Sequence, residues 1–286
     1  MFKFVYYQII ITSPQILREK IEEFLYENIP QGWETIEIGK KIQFNVFIEE
    51  NNKIQLKKLE NLLILYPELK IEYKVLKSQN WAEIWKVNFK PIKVGKNLVI
   101  LPPWEKYQKK SYEVLVVIEP GQAFGTGHHA TTQMMLENIE KYFENTKELQ
   151  SLKEIKILDL GCGTGILGIA CAKLCQFCKI WAIDIDEEAL KAAFYNIKLN
   201  KIEKRIILKK EIPQETFDLI LANIGYKELK KMASIIKKIS KRNTQVFLSG
   251  FLFEDKEDIM KIYQKIGFKV IKIQKQEEWG FIWFKY

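Results

Sequence analysis

The chain has 286 residues, 47% hydrophobic and 28% charged, with a formal net charge of +9; that length allows two domains with separate cores, and the composition is that of a folded soluble protein. No stretch reaches the ~18 uncharged apolar residues of a membrane span, and the apolar start MFKFVYYQIIITSP meets Arg18, Glu19 and Lys20 without a small-residue cleavage site, so a cytoplasmic address is expected. The lysine excess is spread along the chain, which makes it weak ground for a nucleic-acid partner, and four cysteines make no disulfide framework here.

Residues 1–76 alternate as strand, helix, strand, strand, helix, strand. Phe4 to Ile11 is β-like, and Pro14 to Asn28 carries Ile16, Leu17, Ile21, Phe24 and Leu25 at helical spacing. Thr35 to Ile38 and Ile42 to Ile48 form a predicted hairpin around Gly39, Leu56 to Leu65 is helical, and Lys70 to Leu76 is the last strand. Such a βαββαβ unit resembles the small α+β ferredoxin-like fold, and no cluster of catalytic residue types falls in it. Residues 77–111, with Trp81, Trp85, Pro91, Pro102, Pro103 and Trp104, read as a semi-rigid aromatic and proline-rich linker.

From residue 112 to 286 strands alternate with helices. The Gly- and Thr-rich segment EPGQAFGTGHHATT, Glu119 to Thr132, is a loop placed to fold over a ligand, with Thr131 or Thr132 capping the next helix or binding the ligand. His128 and His129 are the only histidines, and on residue type alone a packed or exposed imidazole is expected before a catalytic base. IKILDLGCGTGILG, from Ile155 to Gly168, is a buried strand running into a glycine turn at a helix start, where Gly161 and Gly163 let backbone approach a nucleotide-like ligand. Gly163-x-Gly165-x-x-Gly168 also matches the dinucleotide fingerprint, so the turn leaves nicotinamide and S-adenosylmethionine chemistry both open.

Cys171, Cys175 and Cys178 have the C-x3-C-x2-C spacing of a radical-type iron–sulfur site, but at i, i+4, i+7 they are expected to line one packed face of the helix after the turn, and no metal is expected. Asp184 ends the next strand, WAIDID, where a carboxylate accepts hydrogen bonds from ribose hydroxyls; Asp186 is the expected cap of the following helix. Asn223 closes the strand FDLILAN, a position suited to hold an amine toward a methyl donor, while the run Asn223-Ile224-Gly225-Tyr226 lacks the prolines of base-methylating enzymes. Lys227 to Arg242 alternates Lys with Leu229, Met232, Ile235, Ile236 and Ile239, a solvated helix face. With strands at 155–160, 179–183, 206–209, 217–222 and 245–249 and a C-terminal antiparallel pair at 269–274 and 280–284, the second half is expected to be an α/β, Rossmann-like, doubly wound, mostly parallel seven-stranded sheet.

NWAEIWKVNFKPIKVG, PPW, PGQAFGTGHHATT, LDLGCGTGILGIA, AIDID, LANI, LSGFL and the late EEW together make the chain similar to the bacterial methyltransferases that modify ribosomal large-subunit protein L-eleven (L11), the PrmA family. The resemblance spans nearly the whole sequence; PGQAFGTG combined with DxGxGxG and ANI is its specific part. It implies a substrate-recognising N-terminal domain, a linker, and a catalytic domain using S-adenosylmethionine to methylate the N-terminal α-amine and lysine ε-amines of L11. Carried over position by position, it implies cofactor contacts at Thr132, Gly161, Asp184 and Asn223, with Gly163 in the same turn; Asn223 is expected to orient the amine or the cofactor. The family's T-H-P-T-T reads His128-His129-Ala130-Thr131-Thr132 here, and Gly225-Tyr226 replaces its small residues. The alternatives are a related protein-lysine methyltransferase with another protein substrate, an rRNA methyltransferase, and a silent cofactor-binding assembly factor.

Overall fold

Residues 5–29, 33–39, 41–49, 52–77, 89–121, 123–146 and 154–286 are described in the computed structural model. They fall into two units, Met1–Asn88 and Phe89–Tyr286. In the first, β1 (Val5–Pro14), α1 (Arg18–Asn28), β2 (Trp33–Ile38), β3 (Lys41–Glu49), α2 (Lys53–Leu65) and β4 (Lys70–Lys77) follow in order. The strands form an antiparallel sheet, β2-β3-β1-β4. Period-two burial explains its single core: Ile9 and Ile11 of β1 and Ile42, Phe44, Val46 and Ile48 of β3 face Ile21 and Leu25 of α1 and Leu59 and Leu62 of α2. Asn52 starts α2 by accepting the Gln55 N–H at 3.2 Å.

The second unit runs β5 (Ile92–Val94), β6 (Leu98–Leu101), β7 (Val114–Val117), α3 (Ala130–Asn145), β8 (Ile155–Leu160), α4 (Ile166–Leu174), β9 (Cys178–Ile183), α5 (Glu187–Leu199), β10 (Ile206–Lys209), β11 (Phe217–Asn223), α6 (Tyr226–Lys238), β12 (Ser240–Leu252), α7 (Lys256–Lys265), β13 (Lys269–Gln276) and β14 (Trp279–Lys285). Its main sheet has the order β10-β9-β8-β11-β12-β14-β13. The first five strands are parallel, and β14 inserts antiparallel between β12 and β13. Alternation along each strand feeds two cores. Ile157, Ile180, Leu219, Leu221 and Phe247 pack under α3, α4 and α5, whereas Leu158, Trp181, Ile220, Val246 and Leu248 pack under Leu229 and Ile236 of α6 and Ile259 and Tyr263 of α7. The chain leaves β8 for β9 and β10 on one side and returns to β11 on the other, so the loops after β8 and β11 part and open a crevice at the carboxyl ends of the strands.

The linker expected at 77–111 is shorter than its prolines and tryptophans suggest. Residues 92–101 form β5 and β6, joined to β7 in a second, three-stranded sheet. Val94, Leu98 and Ile100 lie in the core beneath α3. The buried Glu140 of α3 accepts the Lys96 and Asn97 N–H groups at 2.6 and 2.7 Å, tying the β5–β6 turn to the helix. Trp81 and Trp85 lie outside the described residues.

The cysteine expectation also needs correction. α4 ends at Leu174, so only Cys171 is on the helix; Cys175 and Cys178 flank the following turn and are joined as a disulfide with Cα atoms 5.6 Å apart. Among the described residues no group of three or more His, Cys, Asp or Glu side chains is arranged to hold a metal ion, and no helix is long and apolar enough to cross a membrane.

Candidate active site

After β8 the chain turns through Gly161, Cys162, Gly163, Thr164 and Gly165 into α4. Gly161 (φ +71°) and Gly163 (φ +53°) occupy the left-handed region. A Cβ at Gly161 would stand 2.3 Å from Cγ2 of Ile224, and one at Gly163 2.3 Å from the Phe124 carbonyl oxygen. Conformation and contact therefore both demand glycine there. Burial pushes the Cys162 thiol well above the usual thiol range, so this turn offers no thiolate nucleophile.

Asp184, at the end of β9, braces the turn: Oδ2 accepts the Gly163 N–H at 2.9 Å and Oδ1 the Asp186 N–H at 3.0 Å. Asp186 caps α5, as its position in the sequence predicts, by accepting the Glu188 N–H at 3.0 Å. Beneath the turn Asp159 is fully buried, with Oδ2 accepting the Gly168 N–H at 2.9 Å and Oδ1 without a hydrogen-bond partner among the described residues. Burial raises its carboxyl to about 7; the Gly168 hydrogen bond opposes that rise and the charge of Asp184 adds to it.

Asn223 ends β11 on the opposite lip. Its Nδ2 donates to Oγ1 of Thr131 at 3.2 Å and of Thr132 at 3.5 Å, both hydroxyls being buried in the first turn of α3. The cap of α3 is His129, not a threonine: its Nδ1 accepts the Thr131 N–H at 3.3 Å and lies 2.8 Å from Thr131 Oγ1. Asn223, Thr131 and His129 thus form one polar chain, with the Asn223 amide nitrogen on the threonine side. The Asn223 Oδ1, shielded from solvent, has no hydrogen-bond partner among the described residues. Trp279 and Phe124 stand edge-on to the His129 ring, with centroids 4.8 and 5.3 Å away.

The loop expected to cover a ligand is stitched to the glycine turn. Thr164 donates its N–H to the Phe124 carbonyl at 3.0 Å and its hydroxyl to the Gly125 carbonyl. From α5, Asn196 accepts the Glu119 N–H at 2.9 Å and donates to the Thr164 carbonyl at 3.0 Å, holding both ends of this contact. His128 is exposed, with its ring edge-on to Phe89 at 5.0 Å.

These elements enclose a cavity of about 610 Å³. Gly161, Gly163, Asp184 and Asn223 line it; Thr132 does not, and reaches it only through Asn223. Tyr226 is also absent from the wall, its hydroxyl engaged by Asp258 and Lys230. Phe124, His129, Ile224, Glu228 and Trp279 are wall residues that the sequence reading did not single out for the site. Two of them carried a signal, in PGQAFGTG and in EEW. The described wall contains three carboxylates, Asp184, Asp186 and Glu228, and no lysine or arginine. In a chain of net charge +9, that local excess of acid favours a cationic ligand and works against a phosphate.

The family model described as Ribosomal protein L11 methyltransferase (PrmA) matches residues 8–286. A protein of that name from Geotalea daltonii is 38% identical over 212 residues, covering 72% of this chain and 67% of its own length. Another from Caldicellulosiruptor bescii is 36% identical over 217 residues, covering 74% and 67%. Among solved structures, the crystal structure of ribosomal protein L11 methylase from Lactobacillus delbrueckii subsp. bulgaricus aligns with a TM-score of 0.61 at 29% identity, covering 68% of this chain and 98% of that one.

Proposed function

The chain belongs to the ribosomal protein L11 methyltransferase family, and on that premise we propose that it transfers methyl groups from S-adenosylmethionine to ribosomal protein L11, at the N-terminal α-amine and at lysine ε-amines. The observation that carries this reading is a cavity whose described wall has three carboxylates and no lysine or arginine, beside which an asparagine oxygen is held without a hydrogen-bond partner among the described residues. The residues present fit the cofactor. Gly161 and Gly163 leave space that side chains would fill, and Asp184, with a backbone donor already on each oxygen, keeps lone pairs for ribose hydroxyls. When bound, S-adenosylmethionine supplies an electrophilic methyl carbon on a sulfonium.

The protein's part is to place the amine. Asn223 Oδ1 accepts an N–H of the substrate nitrogen and so directs its lone pair, while Thr131 and His129 keep the amide from turning. A neutral amine is required, and an α-amine, with an ordinary pKa near ~8, loses its proton more readily than lysine at ~10.4. His129 has its Nδ1 committed to the cap, and no side chain is assigned as an obligatory base.

The N-terminal unit, read as a ferredoxin-like domain, recruits L11, and the reaction takes place in the cytoplasm on L11 either free or on the ribosome. Incubating the purified protein with labelled S-adenosylmethionine and unmethylated L11, then mapping products by mass spectrometry, tests this directly. Methylated α-amine and lysines are expected; label appearing in ribosomal RNA but not in L11 would overturn the reading.

A further inference from the structure

At the amino ends of β8, β9 and β10, on the opposite edge of the sheet from the cavity, cations gather without counterions. Lys109, Lys173, Lys201, Lys204 and Arg205 form no salt bridge among the described residues. Burial, and then the charges of Arg205, Lys109 and Lys201, hold the Lys173 ammonium below the usual lysine range; Lys204 and Arg205 border one depression, and Lys201 lies in the same turn between α5 and β10. Arg205 donates to the carbonyls of Ala172 and Cys175, and the carbonyl end of α4 accounts for the placing of Arg205 and Lys173. It does not account for Lys109, Lys201 or Lys204, which are exposed.

The same edge carries a shallow depression of about 420 Å³ whose wall includes Phe177, Lys179, Lys204 and Arg205, with Glu154 as its one carboxylate. Phe177 is 54% exposed and has no aromatic neighbour among the described residues. An open aromatic face bordered by cations that form no salt bridge among the described residues matches a chain of phosphates whose bases are free to stack.

We propose that this edge of the second unit binds single-stranded nucleic acid, with phosphates seated among Lys201, Lys204 and Arg205 and a base stacked on Phe177. A double helix would hide the base that Phe177 needs. The surface is remote from the methyl-transfer cavity, and the proposal does not rest on the substrate assigned to that cavity.

The test uses the full chain, a fluorescently labelled single-stranded RNA of about 12 nucleotides, and anisotropy over a range of KCl concentrations. The double variant Lys201→Glu, Lys204→Glu should bind about tenfold more weakly and lower the slope of log K against log salt by ~1.4, about 0.7 for each lost contact. Phe177→Ala should weaken binding at least ~5-fold and leave the salt slope unchanged. Both variants should methylate L11 at the unaltered rate. Lys237→Glu with Lys238→Glu makes the same change of charge on the exposed face of α6 and should leave RNA affinity within twofold. An equal loss from that control, displacement of the RNA by inorganic pyrophosphate alone at matched phosphate concentration, or equally tight binding of duplex RNA would each overturn the proposal.

Discussion

Asn223 shows how a common residue acquires a defined task. An amide presents a donor and an acceptor side of nearly equal size, and only its neighbours decide which faces the cavity. Here two threonine hydroxyls take the donor side. Asn223→Ala should therefore slow single-turnover methylation of L11 about 100-fold with cofactor affinity within a few-fold of the parent. Thr131→Val, which removes the acceptor but keeps the shape, should give a smaller loss, about tenfold, in the same assay. For Asp184→Ala, calorimetry should show S-adenosylmethionine binding weakened by ~1–3 kcal/mol, since a charged acceptor of several hydrogen bonds is lost. Asp159 makes a pH prediction. Its folded carboxyl titrates at about 7 against ~3.9 when unfolded, so the folded state binds the extra proton between those values. The resulting stability is complete below ~3.9 and disappears as pH rises through ~7, at up to ~1.4 kcal/mol per pH unit. Denaturant unfolding of the cofactor-free protein at pH 5 and pH 8 should show this loss. Asp159→Asn, which retains an acceptor for the Gly168 N–H, should flatten it.

Two helices are tied to neighbouring strands by polar side chains. α5 fastens β7 and the loop after it through Asn196 and Asn200, the latter accepting the Val117 N–H at 3.0 Å. α3 fastens the β5–β6 turn through Glu140. The glycine turn depends on the same close fit: with the Phe124 carbonyl 2.3 Å from where a Cβ would sit and φ at +53°, Gly163→Ala must move either the turn or the loop. A loss of ~1–3 kcal/mol in stability is expected, together with weaker cofactor binding, measured by thermal unfolding with and without S-adenosylmethionine. Gly121→Ala is the matching control, because nothing lies within 4 Å of its Cβ position, and it should be close to neutral. Both polar stitches escape sequence reading. A helix asparagine or glutamate looks solvated until the fold brings a strand's free N–H groups to it.

For the whole molecule, each unit buries a core of its own. A fragment of residues 89–286 should therefore bind S-adenosylmethionine within threefold of the full chain, by calorimetry, yet fail to methylate L11 at the concentrations where the full chain is active. Retained transfer would show that the N-terminal unit is not the recruiting part. The cavity and the cationic edge also lie at opposite ends of the same parallel strands, because every βα loop opens at one end and every αβ loop at the other.

Much of this was legible without coordinates. Strands 155–160 and 206–209 run where their periodicity puts them, since burial on a sheet face imposes a period that local sequence must obey. The glycine turn and Asp184 are equally local, resting on conformations and strand ends that a few residues specify. What depended on distant partners was not legible: that residues 92–101 join the second unit's core, and that Asn223's oxygen is the side left without a partner among the described residues; the His129 cap of α3 and the Cys175–Cys178 pair are local contacts, which helix periodicity does not report. Periodicity reports which face is buried. Only the folded chain decides which residues, far apart in sequence, meet to satisfy the hydrogen bonds and charges that burial brings together.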